Sequence, residues 1–245
     1  MGQIIAVVSG KGGTGKTSVC AAVACCLAAE GSRVLCLDAD IGLRNLDLAL
    51  GAPELSAFPF TELLRGTVSP EQIPEHPEIP NLSFLTAPVT ESAESVDAAA
   101  FRRLMLSLRE RFDYCLIDAP AGVGAGFRLA ADSADRVLVV SGSDPASLRD
   151  AASVSAILCD RPAGSVRLVV NRVIPRMFAR MRLTVDDIMD SAGLPLLGLV
   201  PEDPAVTLAA AEGTPLVLYA RKGAARACLN IARRLRGRTV PLLKI

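Results

Sequence analysis

The fifteen residues IIAVVSGKGGTGKTS, Ile4 to Ser18, decide how the rest of the chain is read. Five apolar residues, Ile4 to Val8, have the β-branched character of a buried strand. The pattern G-x-x-x-x-G-K-[ST] follows as Gly10, Gly15, Lys16 and Thr17, and helix formers continue from there. Gly10, Gly12, Gly13 and Gly15 let the backbone bend so that successive N–H groups, including those of Thr14 and Ser18, point at phosphate oxygens. The opening turn of a helix adds partial positive charge at the same place. Lys16 is suited to the β- and γ-phosphates of a nucleotide, and the Thr17 hydroxyl to Mg²⁺. A second lysine, Lys11, is more than this pattern requires.

Composition bounds the class. At 245 residues, 51% hydrophobic and 4% aromatic with no Trp, the chain suits helices packed on a parallel sheet. Formal net charge is zero, so no overall field attracts a polyanion. The last 25 residues nonetheless carry eight basic side chains and no acid: Arg221, Lys222, Arg226, Arg233, Arg234, Arg236, Arg238 and Lys244. The seven cysteines show no C-x-x-C pair and no zinc-like spacing with the single histidine, His76. They read as buried, reduced thiols of a cytoplasmic protein. The N-terminus reads as having no secretory leader. The longest apolar run, Val19 to Ala29, is too short to span a bilayer.

Apolar β-type runs alternate with helix-period segments from end to end. Strands are expected at Ile4–Val8, Arg33–Leu37, Leu82–Thr86, Tyr114–Ile117, Arg136–Val140, Val166–Val170 and Leu196–Val200. Helices are expected at Lys16–Glu30, Asp97–Arg111, Phe127–Ala131, Pro145–Leu158, Val185–Ser191 and Ala224–Arg236. The alternation predicts an α/β fold, a single three-layer α/β/α domain over residues 1–245 with a mostly parallel sheet. Six of the sixteen prolines fall in Ala52–Asn81, read as a surface excursion with one short helix near Thr61–Leu64.

Ligands of such sheets bind at the carboxyl ends of the strands, where this phosphate loop lies. Two acidic stretches join it there. LDADIGLRNLDLALG follows the second strand and carries Asp38 and Asp40, whose carboxylates point the same way if the chain stays extended. LIDAPAG closes the fourth, placing Asp118 at its tip as a support for Mg²⁺. A lone strand-end Asp is as often a cap or turn residue; three around one phosphate loop point to metal-nucleotide chemistry.

The motifs together resemble the deviant Walker A ATPases, the ParA/MinD superfamily of P-loop NTPases, and within it the division-site (Min) branch. KGGTGKTS matches that phosphate loop, whose extra lysine defines the group. DADIGLRNLDLALG and DAPAG are similar to its two switch segments, NRV (171–173) and VPED (200–203) to its adenine-side elements, and NIARRL…VPL carries the likeness nearly to the end. The resemblance implies a slow, partner-stimulated ATPase acting as a dimerising switch in septum placement. It implies ATP and Mg²⁺ as ligands, an ATP-dependent homodimer, and Min-system partners: an inhibitor of septum assembly and a topological factor. Lys11 would reach across to the partner subunit's nucleotide, which accounts for the second lysine. Asp40 would position the attacking water, with Lys16 as the catalytic cation. Thr17 would ligate Mg²⁺, with Asp38 and Asp118 as its outer partners. Asn171 would bond the adenine edge, with Arg172 beside it and the backbone of Pro201, Glu202 and Asp203 closing over the base.

The end of the sequence departs from the group, whose members carry an amphipathic membrane helix beyond the VPL-like stretch, whereas VPLLKI closes this one. The segment 224–245 reads as a basic helix with a short apolar end: Cys228, Ile231, Ala232 and Leu235 form its core stripe, and its arginines are solvated. An anionic inner-membrane surface would attract that charge, making the protein peripheral in the ATP state. The main rival is a ParA-type partition ATPase that binds DNA non-specifically as its ATP dimer; sequence-specific nucleic-acid recognition is not expected. Iron–sulfur relatives need cysteines displayed at an interface, and Cys20, Cys25, Cys26 and Cys115 fall in predicted core.

Overall fold

All seven apolar runs form strands, buried on both faces and therefore free of polar alternation. The computed structural model describes residues 2–42, 44–52 and 57–243. Leu43 of the Asp38 motif, residues 53–56 of the proline-rich excursion, and Lys244 and Ile245 of the apolar end lie outside the described residues. The strands are β1 (Gln3–Ser9), β2 (Val34–Asp38), β3 (Leu82–Leu85), β4 (Tyr114–Ala121), β5 (Arg136–Ser141), β6 (Val166–Val173) and β7 (Leu196–Pro201). Their order is β3-β2-β4-β1-β5-β6-β7, every neighbouring pair parallel. The chain leaves β1 toward one edge, returns through β4 to β1's flank, and then fills the other side. The order reverses at β1, and the crevice above that strand is where a ligand fits.

Among the described residues eleven α-helices flank the sheet, the last three of them after β7. α1 (Lys16–Ala29), α2 (Leu46–Leu50), α9 (Pro204–Ala211), α10 (Leu216–Tyr219) and α11 (Gly223–Leu235) cover one face; α3 (Phe60–Arg65), α4 (Ala98–Leu108), α5 (Ala125–Ser133), α6 (Pro145–Ile157) and α8 (Val185–Ala192) cover the other. The short α7 (Pro175–Met181) buries no residue. Alternate residues of β1 feed the two layers: Ile4, Ala6 and Val8 face the layer of α5 and α6, while Ile5 and Val7 face that of α1. α1 is buried almost all round because it lies between the sheet and α11, and its Ala and Cys side chains are small enough for that approach. α4 is amphipathic instead, burying Phe101, Leu104, Met105 and Leu108 beneath an Asp97 cap.

Several expectations need correction. β4 runs past Ile117 to Ala121, so Asp118 lies inside the strand and not at its tip; pairing with β1 as far as Ser9↔Ala121 extends the ladder. The proline-rich excursion is more than surface. Phe60 is fully buried edge-on to Phe101, with ring centroids 5.3 Å apart, and Ile73, His76 and Ile79 are buried as well. His76 Nε2 donates to Leu50 O, while Nδ1 accepts from Glu78 N and Ile79 N. Six cysteines are buried, but Cys159 is exposed in the turn that ends α6. In α11 the stripe Cys228, Ile231, Ala232 and Leu235 is buried as read, yet its arginines are not simply solvated. Arg233, Arg236 and Arg238 gather on one carboxylate, Glu30, at 2.7, 3.0 and 3.4 Å.

Candidate nucleotide site

The loop from Gly10 to Gly15 joins the end of β1 to the start of α1, directly above the sheet's reversal point. Gly15 takes φ +79°, a left-handed conformation that turns the chain into α1 without a β-carbon penalty. Gly10 lies against α6, where a β-carbon would come within 2.8 Å of the Asp150 backbone oxygen. Side chains from β6 hold the far side of the loop: Asn171 Nδ2 donates to Thr14 O at 2.8 Å, and Arg172 Nη1 donates to Gly13 O at 3.2 Å.

Below the loop, Lys16 Nζ meets Asp118 Oδ1 at 2.6 Å, both side chains buried. Asp118 stands beside Asp38 in register across β4 and β2, so a second buried carboxylate lies next to the Lys16–Asp118 pair. Burial raises the pKa of Asp118, opposed by Lys16. Burial, then the charge of Asp118, pushes Asp38 up to about 7. Both oxygens of Asp38 are engaged: Oδ1 accepts from Asp40 N at 2.8 Å, and Oδ2 from Asn45 N and Leu46 N at 3.2 Å. It therefore folds the segment after β2 back over the loop and caps α2. Asp40 stands apart, half-buried, its pKa raised by burial and lowered by Lys16.

Does this arrangement suit Mg²⁺ and a triphosphate? Asp118 Oδ2 and Thr14 Oγ1 are both buried without a hydrogen-bond partner among the described residues. Two carboxylates against one lysine leave excess negative charge where a divalent cation fits. A cavity of about 430 Å³ runs over the loop, lined by Lys16, Thr17, Asp40, Asn45 and Ala121. It adjoins a second, of about 210 Å³, walled by Asn171, Arg172, Pro201, Glu202 and Asp203, with Val19, Val200 and Val206 as the apolar surfaces a base could pack against. The residues fit a metal–nucleotide.

The site residues named from the sequence are thus brought together, with three refinements. Asn171 spends an amide N–H on the loop and not on a base. Glu202 is clasped by Arg172 at 2.8 and 3.3 Å. Asp203 caps both α9 and α11 through Ala205 N and Ala224 N, so its carboxylate is structural. Lys11 lies on the outer rim, with Nζ 3.6 Å from Asp144 and 3.9 Å from Asp150, two half-exposed acids of its own chain. Sequence reasoning missed Asp144, Asp150 and Ala121, because no local pattern marks a residue that reaches the loop only through tertiary packing.

A family profile described as CobQ/CobB/MinD/ParA nucleotide binding domain matches residues 5–216. A septum site-determining protein MinD of Synechocystis sp. is 36% identical, across 99% of this chain and 92% of its own length. A structure titled as a MinC:MinD cell division protein complex from Aquifex aeolicus superposes with a TM-score of 0.90 at 33% identity, covering 99% and 98% of the two chains. A septum site-determining protein MinD complexed with Mg-ADP, from Pyrococcus horikoshii, superposes with a TM-score of 0.82 at 29% identity over 96% of each chain.

Proposed function

This chain belongs to the CobQ/CobB/MinD/ParA nucleotide-binding family, and within it to the MinD proteins, and from that premise we propose how its residues run the ATPase switch. The protein is a Mg²⁺-dependent ATPase of the MinD type, acting in placement of the division septum. Relatives 32–36% identical in sequence and in structure are MinD proteins, whereas a ParA family ATPase matches at 20%, so the partition reading with its DNA surface has less support.

The backbone N–H groups from Gly10 to Ser18 cradle the phosphates. Lys16, already inside the cavity, exchanges its contact with Asp118 for the β- and γ-phosphate oxygens. Thr17, Asp38 and Asp118 would hold Mg²⁺, Asp38 as an outer partner because its oxygens are engaged; the ion supplies neutralisation of the phosphate charge. Asp40 lines the same cavity and orients the attacking water by accepting one of its protons.

One observation supports a dimerisation-dependent cycle. Lys11 faces outward and is held only by long, half-exposed ion pairs, contacts worth about 1 kcal/mol or less. A cation so weakly held is available to a partner subunit's triphosphate, where it completes the transition-state charge as an arginine finger does. Hydrolysis then requires two ATP-loaded subunits. The partners of that dimer are a MinC-type inhibitor of septum assembly, in line with the MinC:MinD complex named above, and a topological factor that stimulates hydrolysis. Among the described residues no helix is long and apolar enough to cross a membrane, so membrane association would be peripheral, on an anionic inner surface.

Lys11→Ala tests the scheme. It should bind ATP but stay monomeric with a non-hydrolysable analogue in analytical ultracentrifugation, and lose turnover by a factor of about 10³. Wild-type dimerisation and turnover in that variant would remove Lys11 from its role.

A further inference from the structure

At the opposite end of the sheet from the phosphate loop, three arginines converge on one cavity. Arg136 opens β5, Arg167 is the second residue of β6 and Arg234 lies near the end of α11. Since all strands are parallel, these positions lie at the N-terminal ends, far from the nucleotide. The cavity measures about 200 Å³ and has Gly164, Ser165 and Leu235 among its other walls, with no acidic residue lining it among the described residues.

The bonds of these arginines are unusual for their burial. Arg136 Nη1 donates to Leu235 O at 3.3 Å and to Gln3 Oε1 at 3.5 Å. Arg167 Nε donates to Gly164 O at 3.3 Å. Arg234 donates to Leu197 O, Val240 O and Pro241 O at 2.8, 3.1 and 2.7 Å. Every acceptor is a neutral oxygen, and none of the three pairs with a carboxylate among the described residues. The neighbouring acids are engaged elsewhere: Asp135 with Arg109 and Ile4 N, and Glu30 with Arg233, Arg236 and Arg238.

Half-buried guanidinium groups without counter-charge are costly unless an anion completes them. Burial already disfavours the charge on Arg234. The Nε and Nη2 groups of Arg136 and both Nη groups of Arg167 keep donors without partners among the described residues. Forked donors from three elements, arriving from different directions, match a tetrahedral anion with several oxygens better than a planar carboxylate.

We propose that Arg136, Arg167 and Arg234 form a binding site for a phosphate group, carried on a lipid headgroup or free in solution. The site also gives a use to Arg234, an arginine of the basic C-terminal segment that neither Glu30 nor the nucleotide chemistry engages. It does not depend on the ATPase cycle.

The test uses the full chain saturated with Mg-ADP, so that the phosphate loop is filled. Inorganic phosphate is titrated calorimetrically at matched ionic strength, and sedimentation is measured with vesicles of phosphatidylglycerol in phosphatidylcholine against phosphatidylcholine alone. Arg167→Gln, which breaks a single internal bond, should weaken binding by about tenfold. Arg136→Gln should do the same. Arg238→Gln, the same loss of charge outside the cavity, should change it little. Loss confined to the vesicle arm identifies a lipid headgroup, and loss in the phosphate arm identifies the free anion. Wild type that binds neither probe overturns the proposal, as do Arg167→Gln and Arg136→Gln variants that both bind like wild type. An Arg238→Gln loss as large as that of Arg167→Gln also overturns it, since binding would then follow net charge alone.

Discussion

Asp40 is the residue on which turnover depends most directly. It lines the loop cavity without being tied down by the backbone bonds that occupy Asp38, and burial makes its carboxylate a better proton acceptor than an exposed one. Asp40→Ala should leave nucleotide binding within a few-fold of wild type and lower single-turnover phosphate release by about 10² or more. Release at the wild-type rate would assign water positioning to another group. At this scale the sequence was informative about identity and silent about contacts. Lys11, Lys16, Asp38, Asp40 and Asp118 are all readable from three short motifs, although Asp118 proved to lie within its strand and not at the tip. The 2.6 Å bond between Lys16 and Asp118 joins residues 102 positions apart, and the clasp of Asn171 on Thr14 spans 157, distances over which no local pattern carries information.

The end of β2 carries the clearest consequence at the scale of an element. Asp38 caps α2 through Asn45 N and Leu46 N, so its protonation state is coupled to the segment that covers the loop. Its folded-state pKa is about 7 against an ordinary 3.8, so the folded chain holds that proton more tightly than the unfolded one. The contribution is therefore most favourable below the unfolded value and is lost as pH rises toward 7. Urea unfolding of the nucleotide-free protein should show stability falling between about pH 4 and 7, by up to about 1.4 kcal/mol per unit from this group. Asp38→Asn should flatten that slope. Strands were legible because fully buried parallel strands are nearly continuous runs of Val, Ile and Leu, as in Val166–Val170. Of the short helices α3, α5 and α8 were legible as well, but others were not. α2 is a single turn fixed by a distant carboxylate, α7 buries nothing, and α9 buries only Ala209, so none shows the apolar periodicity that marks a helix.

For the whole molecule, zero net charge conceals a polar arrangement. Carboxylates gather around the phosphate loop at one end of the sheet, and arginines at the other, where one glutamate serves three of them. The basic tail was visible in the sequence; its division between Glu30 and the arginine-lined cavity was not, because both depend on α1 and α11 finishing at the same end of the sheet. The architecture also settles which cysteine meets solvent. With six thiols sealed in the core and Cys159 alone outside, the native chain should take up one maleimide per molecule at that turn, as counted by mass spectrometry. A spin label placed there needs no engineered background. It turns the turn after α6 into a ruler: the separation between two such labels would report, in frozen solution, whether and how closely two chains stand together.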